Sequence, residues 1–323
     1  MKALKKEHWN TNKSILININ GIPKTKWIMK SIFARDKFII RLIFIISCIL
    51  IIYFVYFFIV WNVIVSLTGW EGLVQTYDFI GLENYSQMSQ DYVFWTSLLN
   101  NFIFMGIFIP SSIILGLLLA IILDQKVKRE GFFRLIYLLP YALSFVVTAY
   151  LWQWMFTSDG VLNILIDAIV PGTIEISWLG NRYLALVSIS IAMIWQFSGY
   201  VMLVFLAGIR SVPPSIIMAA RIDGASGFKL YTRIIIPQIK TSAFTAFVIL
   251  MIFTLKAFDF IYLLTGGGPG YGTYILPIMM YEEAFAKNQF AYSSTIATTL
   301  LIVVMMITIP YLYITYRKRD NQK

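Results

Sequence analysis

A chain of 323 residues that is 59% apolar and only 13% charged has too little polar surface to face water, since soluble chains run nearer a quarter charged. With a mean hydropathy of +0.75, its solvent is a bilayer. The formal charge of +10, from 26 Lys+Arg against 16 Asp+Glu, raises nucleic acid as a partner and has first to be mapped onto membrane sidedness. Cys48 is the sole thiol and His8 the sole imidazole. An intrachain disulfide, a zinc site and a Ser/His/Asp triad therefore all lack their residues. Cys48 reads as a small apolar residue inside a membrane helix.

Residues 1–41 form a basic arm, polar to Pro23 and then TKWIMKSIFARDKFIIRL. Trp27, Ile28, Ile32 and Phe33 alternate there with basic residues, the pattern of an interfacial helix or, more loosely, of a basic tail drawn to anionic lipid. Six apolar stretches follow, at 42–66, 94–123, 132–156, 183–209, 241–264 and 290–315, each longer than the roughly 20 residues that cross a hydrocarbon core. The first is too long and too late for a signal peptide and lacks a small-residue cleavage site. Pro110 and Pro140 fall inside the second and third, where kinked helices lining a cavity are expected.

Basic residues are retained on the cytoplasmic side of a membrane, so their distribution orients the chain. The arm, the 124–134 and 210–240 connections and the tail hold 23 basic and six acidic residues, while the opposite loops hold two basic and nine acidic ones. The expectation is an all-α polytopic membrane helical bundle with six transmembrane helices, N-in and C-in. It divides into an arm (1–41), a membrane domain (42–315) and a cytoplasmic tail (316–323). The excess positive charge reports topology and contact with lipid, which removes nucleic acid as a partner.

The 210–240 connection, RSVPPSIIMAARIDGASGFKLYTRIIIPQIK, is more than a linker. Ser211 can cap a helix that Pro213 and Pro214 pre-organise, and Gly224 supplies its stop. Ser226 can cap a second helix, with Pro237 marking the start of the fifth span. Ile216, Ala219, Ala220 and Asp223 recur at three- and four-residue spacing and so share a side. Such a helix pair suits either insertion into a cleft on another protein or packing beneath its own bundle.

The run Met218-Ala219-Ala220-Arg221-Ile222-Asp223-Gly224-Ala225, followed by Ile234 to Pro237, resembles the EAA loop of integral membrane subunits of ATP-binding-cassette importers. FIGLENYSQM at 79–88, FFRLIYLLP at 132–140 and FDFIYLLTGGGPGYGT at 258–273 resemble further elements of that family's carbohydrate (maltose/oligosaccharide-like) branch, in the family's order. The resemblance implies a type I importer permease fold and a loop that docks in a cytoplasmic ATPase groove. Met218, Ala219, Ala220, Asp223 and Gly224 inherit that coupling role. The family usually carries Glu where this chain has Met218, so docking here would rest more on apolar packing. The partners implied are a second homologous permease subunit, two cytoplasmic ATPase subunits, an extracytoplasmic substrate-binding protein and membrane lipid.

No Walker A stretch occurs, and TGGGPGYGT at 265–273 lacks its lysine, so this chain is expected to bind no cofactor and to be no enzyme. ATP and Mg belong to the partner ATPase. The glycine cluster reads as a tight re-entrant turn, a docking surface for the external binding protein, or an ordinary exposed turn. Lys256 and Asp259, three apart, read as a local pair, with Lys256 alternatively meeting a polar or acidic sugar. Aromatic and amide side chains suited to a sugar cluster at Trp152, Gln153 and Trp154 and at Trp195, Gln196, Phe197, Gly199 and Tyr200. The family's use of helices beside the EAA loop favours a substrate path along Phe197, Val201, Phe253, Thr254, Lys256 and Ala257. A permease for another solute, an ion-coupled secondary transporter and, more weakly, a membrane enzyme are the rival readings. The secondary transporter lacks evident internal repeats and has only Asp259 as an intramembrane carboxylate.

Overall fold

A computed structural model describes residues 39–125, 127–172 and 175–320. The expected interfacial helix before residue 39 lies outside them. Residues as far as Trp61 and those from Asn62 form two compact units. Helix α1, Ile39–Ser66, is strongly apolar beyond Arg41, and its large side chains such as Phe44, Ile52 and Phe54 are exposed. At 1.5 Å per residue its 28 residues outreach a hydrocarbon core of about 30 Å. Lipid is the environment that tolerates such a surface.

In the second unit the central pair is α3 (Tyr92–Asp124) and α7 (Arg182–Ser211), both long enough to cross a membrane. Between lipid-immersed helices there is no hydrophobic driving force, so small residues that let backbones approach must supply the packing. Gly116 of α3 does this: a Cβ there would stand 2.7 Å from Val201 Cβ on α7. Gly199 does the same on another face, where a Cβ would run into the backbone oxygen of Tyr137. That carbonyl belongs to α4 (Glu130–Ala142). Phe104, Phe108, Phe197 and Phe205 are fully buried around these contacts.

The expected third span is not straight. α4 and α5 (Phe145–Met155) meet at 94°. Pro140 lies in the last turn of α4 rather than at the apex. The corner is held by two residues: Ser144 Oγ accepts from Val147 N at 3.3 Å, starting α5, and Gln196 Nε2 of α7 donates to the freed Leu143 carbonyl at 3.1 Å. α6 (Val161–Ile169) follows in the next loop. The 210–240 segment is α8 (Pro214–Ile222) and α9 (Gly227–Gln238), and α9 bends by 70° into α10 (Lys240–Leu255). The expected fifth span also breaks, because α10 stops at Leu255 and α11 (Phe258–Thr265) begins afresh. The 290–315 stretch forms α13 (Phe290–Asp320). Among the described residues four helices are long and apolar enough to cross a membrane, or as many as six when each bent pair counts as one.

At the end of the bundle where α3 starts, polar side chains knit the loops. In α2 (Glu83–Gln90) Asn84 donates to the carbonyls of Ser66 and Thr68 at 3.0 and 2.9 Å, which gives the GLENY element its role. Asn100 of α3 donates to the Tyr271 and Tyr274 carbonyls at 2.8 and 2.9 Å. Asp91 accepts from Val93 N as the cap of α3 and from the Tyr292 hydroxyl of α13 at 2.8 Å. Chain 265–275 folds inward between them, with Gly272 to Ile275 buried and Tyr271 44% exposed, before α12 (Leu276–Tyr281). The glycine cluster is a tight turn, with Gly266 and Gly270 exposed and Gly267 and Gly272 buried. A Cβ on Gly267, at φ 91°, would strike the Tyr274 ring.

Candidate coupling surface and membrane path

Helix α7 runs to Ser211, whose hydroxyl donates back to the Gly208 carbonyl at 2.7 Å. Ser211 therefore closes the preceding helix instead of capping the next, a correction to the sequence reading. Pro213 stands at the cap of α8 and Pro214 at its first position, where the missing N–H costs nothing. The stop at Gly224 holds. Its φ of +81° allows Gly224 N to reach Arg221 O at 3.1 Å and Ala225 N to reach Ala220 O at 2.9 Å, the paired bonds of a Schellman turn. Ser226 occupies the cap position of α9 without a side-chain capping bond.

The four residues expected to share a side do not share an environment. Ala220 is 7% exposed and joins the buried cluster with Leu230, Tyr231, Ile235 and Ile239. Ile216 is half-buried, whereas Ala219 and Asp223 are exposed. The apolar side chains presented outward are Met218 (64% exposed), Ile222 (87%) and Phe228 (81%). Met218 and Ile222 lie one turn apart on α8, and Phe228 faces out from the start of α9. Ile222 and Phe228 were missed in the sequence because neither stands out by type; the rotation of α8 about its buried alanine exposes Ile222, and the start of α9 exposes Phe228. Gly224 lies at the exposed tip between the two helices.

Beneath this turn sits a polar junction that the sequence did not announce. Tyr231 of α9 donates to Asp124 Oδ2 at the end of α3, at 2.8 Å. Arg210 of α7 lies 2.8 Å from Glu130 Oε2 at the start of α4 and 4.0 Å from Asp124 Oδ1, and Arg134 lies 3.4 Å from Glu130 Oε1.

The expected substrate-path residues are mostly interior. Phe197, Val201, Thr254 and Ala257 are at most 3% exposed, Phe253 is half-buried, and Lys256 is exposed. Phe197 is the hub of an aromatic cluster at the α4–α5 corner, with ring centres 4.6 Å from Phe253 and 5.6 Å from both Phe108 and Tyr141. Thr254 spends its hydroxyl on the Leu250 carbonyl at 2.8 Å. Lys256 and Asp259 make no ion pair: Lys256 ends α10 at φ −103°, ψ 11°, so the helical three-residue spacing on which pairing depended is lost. Trp152 packs 5.8 Å from Trp195, while Trp154 is 65% exposed. A wholly apolar groove of about 470 Å³ opens between Pro110 and Phe247, suited to hydrocarbon rather than sugar. Among the described residues no group of three metal-ligating side chains assembles.

At the opposite end, burial and a hydrogen bond to Glu282 push the Tyr274 phenol well above its ordinary range, so it remains a donor. Lys287, bonded at 2.6 Å to the buried Glu283 carboxylate, is held above the usual ammonium value by that partner.

A lipid-facing helical bundle with broken spans around an aromatic hub, and a capped apolar turn projecting from one end, defines a polytopic membrane permease. Residues 112–317 match the family described as "Binding-protein-dependent transport system inner membrane component", and the chain belongs to it. It is 52% identical over 276 residues to a probable ABC transporter permease protein of Pyrococcus horikoshii, covering 85% of this chain and 94% of the relative. It is 44% identical over 261 residues to a xylose/arabinose import permease protein of Haloferax volcanii, covering 80% and 82%. In fold it matches a chain of a bacterial alginate ABC transporter, solved with an alginate pentasaccharide-bound periplasmic protein. The TM-score is 0.76 at 20% identity, over 88% of this chain and 96% of that one. This chain is thus an inner-membrane permease subunit of a binding-protein-dependent importer, and family membership removes the ion-coupled and enzymatic readings.

Proposed function

We propose that the chain is one of two homologous permease subunits of an ATP-driven sugar or oligosaccharide importer, oriented N-in and C-in with six spans. Its 210–240 segment would dock on one of two cytoplasmic ATPase subunits, which bind the ATP and Mg. The observation that carries this reading is the apolar triad Met218, Ile222 and Phe228, displayed on a turn whose stem is buried in the same chain. Exposed apolar side chains on a polar face of a membrane protein need a protein partner. Met218 in place of a carboxylate makes that contact a packing contact. The opposite end, knit around Asn100 and Asp91, offers a rigid surface to an external binding protein. The sugar assignment is supported by the xylose/arabinose permease of Haloferax volcanii.

Transport then follows alternating access: closure of the ATPase pair moves α8 and α9, the bent spans rock, and hydrolysis resets them. Coupling requires that ATP and loaded binding protein favour the same conformation. The experiment is uptake of labelled xylose, arabinose and maltose by proteoliposomes of the complete assembly. The expected result is uptake of at least one sugar, dependent on ATP and abolished by Gly224→Asp with this chain still in the membrane. ATP-dependent uptake of none of them would move the assignment to another solute class, and normal uptake by the Gly224→Asp assembly would overturn the coupling role.

A further inference from the structure

The junction beneath the coupling turn has no assigned role, yet it joins the ends of four helices. Asp124 sits at the C-terminus of α3, where the helix carbonyls disfavour a carboxylate, so it needs donors to stay. It receives one from the Tyr231 hydroxyl at 2.8 Å and has Arg210 at 4.0 Å. Tyr231 is 8% exposed, within the cluster that also buries Ala220. Its ring is buried on α9, the second helix of the coupling turn, while its hydroxyl is bonded to a membrane-crossing helix 107 residues away. Arg210 meanwhile joins the end of α7 to Glu130 at the start of α4, the bent span whose corner meets Phe197. From Asp124 inward, α3 packs closely on α7 at the Gly116–Val201 approach.

Resting on the reading of the 210–240 segment as the ATPase-docking surface, we propose that Tyr231 and Asp124 form a latch that ties the coupling turn to α3, making both positioning residues for coupling. With the latch closed, the ATPase pair cannot close without moving the spans. With it open, the turn follows the ATPases while the bundle stays behind, and ATP is hydrolysed without transport. The junction is partly open to solvent, Asp124 at 24% and Arg210 at 44%, so its bonds can exchange with water during a cycle. Replacements that separate packing from hydrogen bonding test the latch.

The complete assembly is purified through a tag on this chain, reconstituted, and assayed for ATP hydrolysis without binding protein or sugar. Tyr231→Phe keeps the ring and removes the hydroxyl; Asp124→Ala removes the acceptor; Asp124→Asn keeps an acceptor. Expected are a rise of about five-fold in basal hydrolysis for Tyr231→Phe and Asp124→Ala, the low end of ordinary coupling factors, a rate near wild type for Asp124→Asn, and no further rise in the double variant Tyr231→Phe/Asp124→Ala. Ile222→Glu is the control for the docking surface and should strip the ATPase from the assembly. Unchanged hydrolysis in Tyr231→Phe, with Ile222→Glu stripped, overturns the latch and leaves the docking surface standing. An Ile222→Glu assembly that retains its ATPases overturns the docking reading itself. Should Tyr231→Phe not assemble, equal rates in Asp124→Ala and Asp124→Asn overturn the latch.

Discussion

The two ends of the bundle are built on different physics. At the end where α3 begins, loops are pinned by buried Asn84 and Asn100, which hold two carbonyls each, and by the half-buried Asp91, which holds both a helix N-terminus and Tyr292. At the other end the coupling turn has a buried apolar stem that includes Ala220 and Leu230, and beneath it lies a junction of partly exposed charges around Arg210. A buried hydrogen bond left unmade costs the full desolvation of its partner, while a half-exposed ion pair contributes little. The first end is therefore a platform that resists deformation and the second a contact that can be remade each cycle. That division suits the proposed function, in which an external binding protein meets a fixed surface and an ATPase meets a moving one.

The largest expected effect comes from breaking the platform. Asn100→Leu strands the Tyr271 and Tyr274 carbonyls, at about 1–3 kcal/mol each, and should lower the thermal midpoint of the detergent-solubilised assembly most of all. Gly199→Ala tests the interior: the new methyl meets the Tyr137 carbonyl, a backbone atom that cannot step aside, for an overpacking cost of about 1–3 kcal/mol by the same measurement.

Lys287→Met is a smaller test of the platform. It leaves the Glu283 carboxylate, 5% exposed, without its cation, but the half-exposed lysine discounts the loss to about 1 kcal/mol. Because the Lys287 value is raised in the folded state, its contribution is complete below the ordinary lysine value near 10.4 and fades only as pH climbs through the raised one. Thermal scans from pH 6 to 9 should therefore show a constant gap between wild type and variant. Smallest in stability is Gly224→Ala at the coupling end, at about 1 kcal/mol for an alanine forced to positive φ. Its expected signature is lost uptake with a nearly unchanged midpoint. A comparable fall in midpoint for Asn100→Leu and Gly224→Ala would erase the contrast between the ends.

How much of this was legible in the sequence varied by element. The long helices Ile39–Ser66, Tyr92–Asp124 and Arg182–Ser211 were readable because an unbroken apolar run of that length has one stable form in a bilayer. The corner at Leu143–Ser144 and the stop at Leu255 were not. The first depends on Gln196 arriving from another helix, and the second leaves no Gly or Pro as a mark. Gly224 announced its turn locally, whereas Ser211 misled because a serine can cap forward or bond back and only the length of α7 decides. The coupling turn was found through its motif, but its presented face was not, since which of two adjacent alanines turns inward is decided by tertiary packing: Ala220 is buried and Ala219 exposed. The substrate stripe was placed by family likeness; the fold puts Phe197 and Phe253 in the aromatic hub, buries Val201, Thr254 and Ala257, and leaves Lys256 exposed.

Because Cys48 is the only cysteine, the central claim has a direct measurement. In a Cys48→Ser background, single Ile222→Cys and Tyr271→Cys variants, one exposed at each end, are treated in native membranes with a thiol-to-amine crosslinker. The account predicts that Ile222→Cys is joined to the ATPase subunit and Tyr271→Cys is not. An ATPase adduct from Tyr271→Cys, or none from Ile222→Cys in an actively transporting assembly, would contradict it.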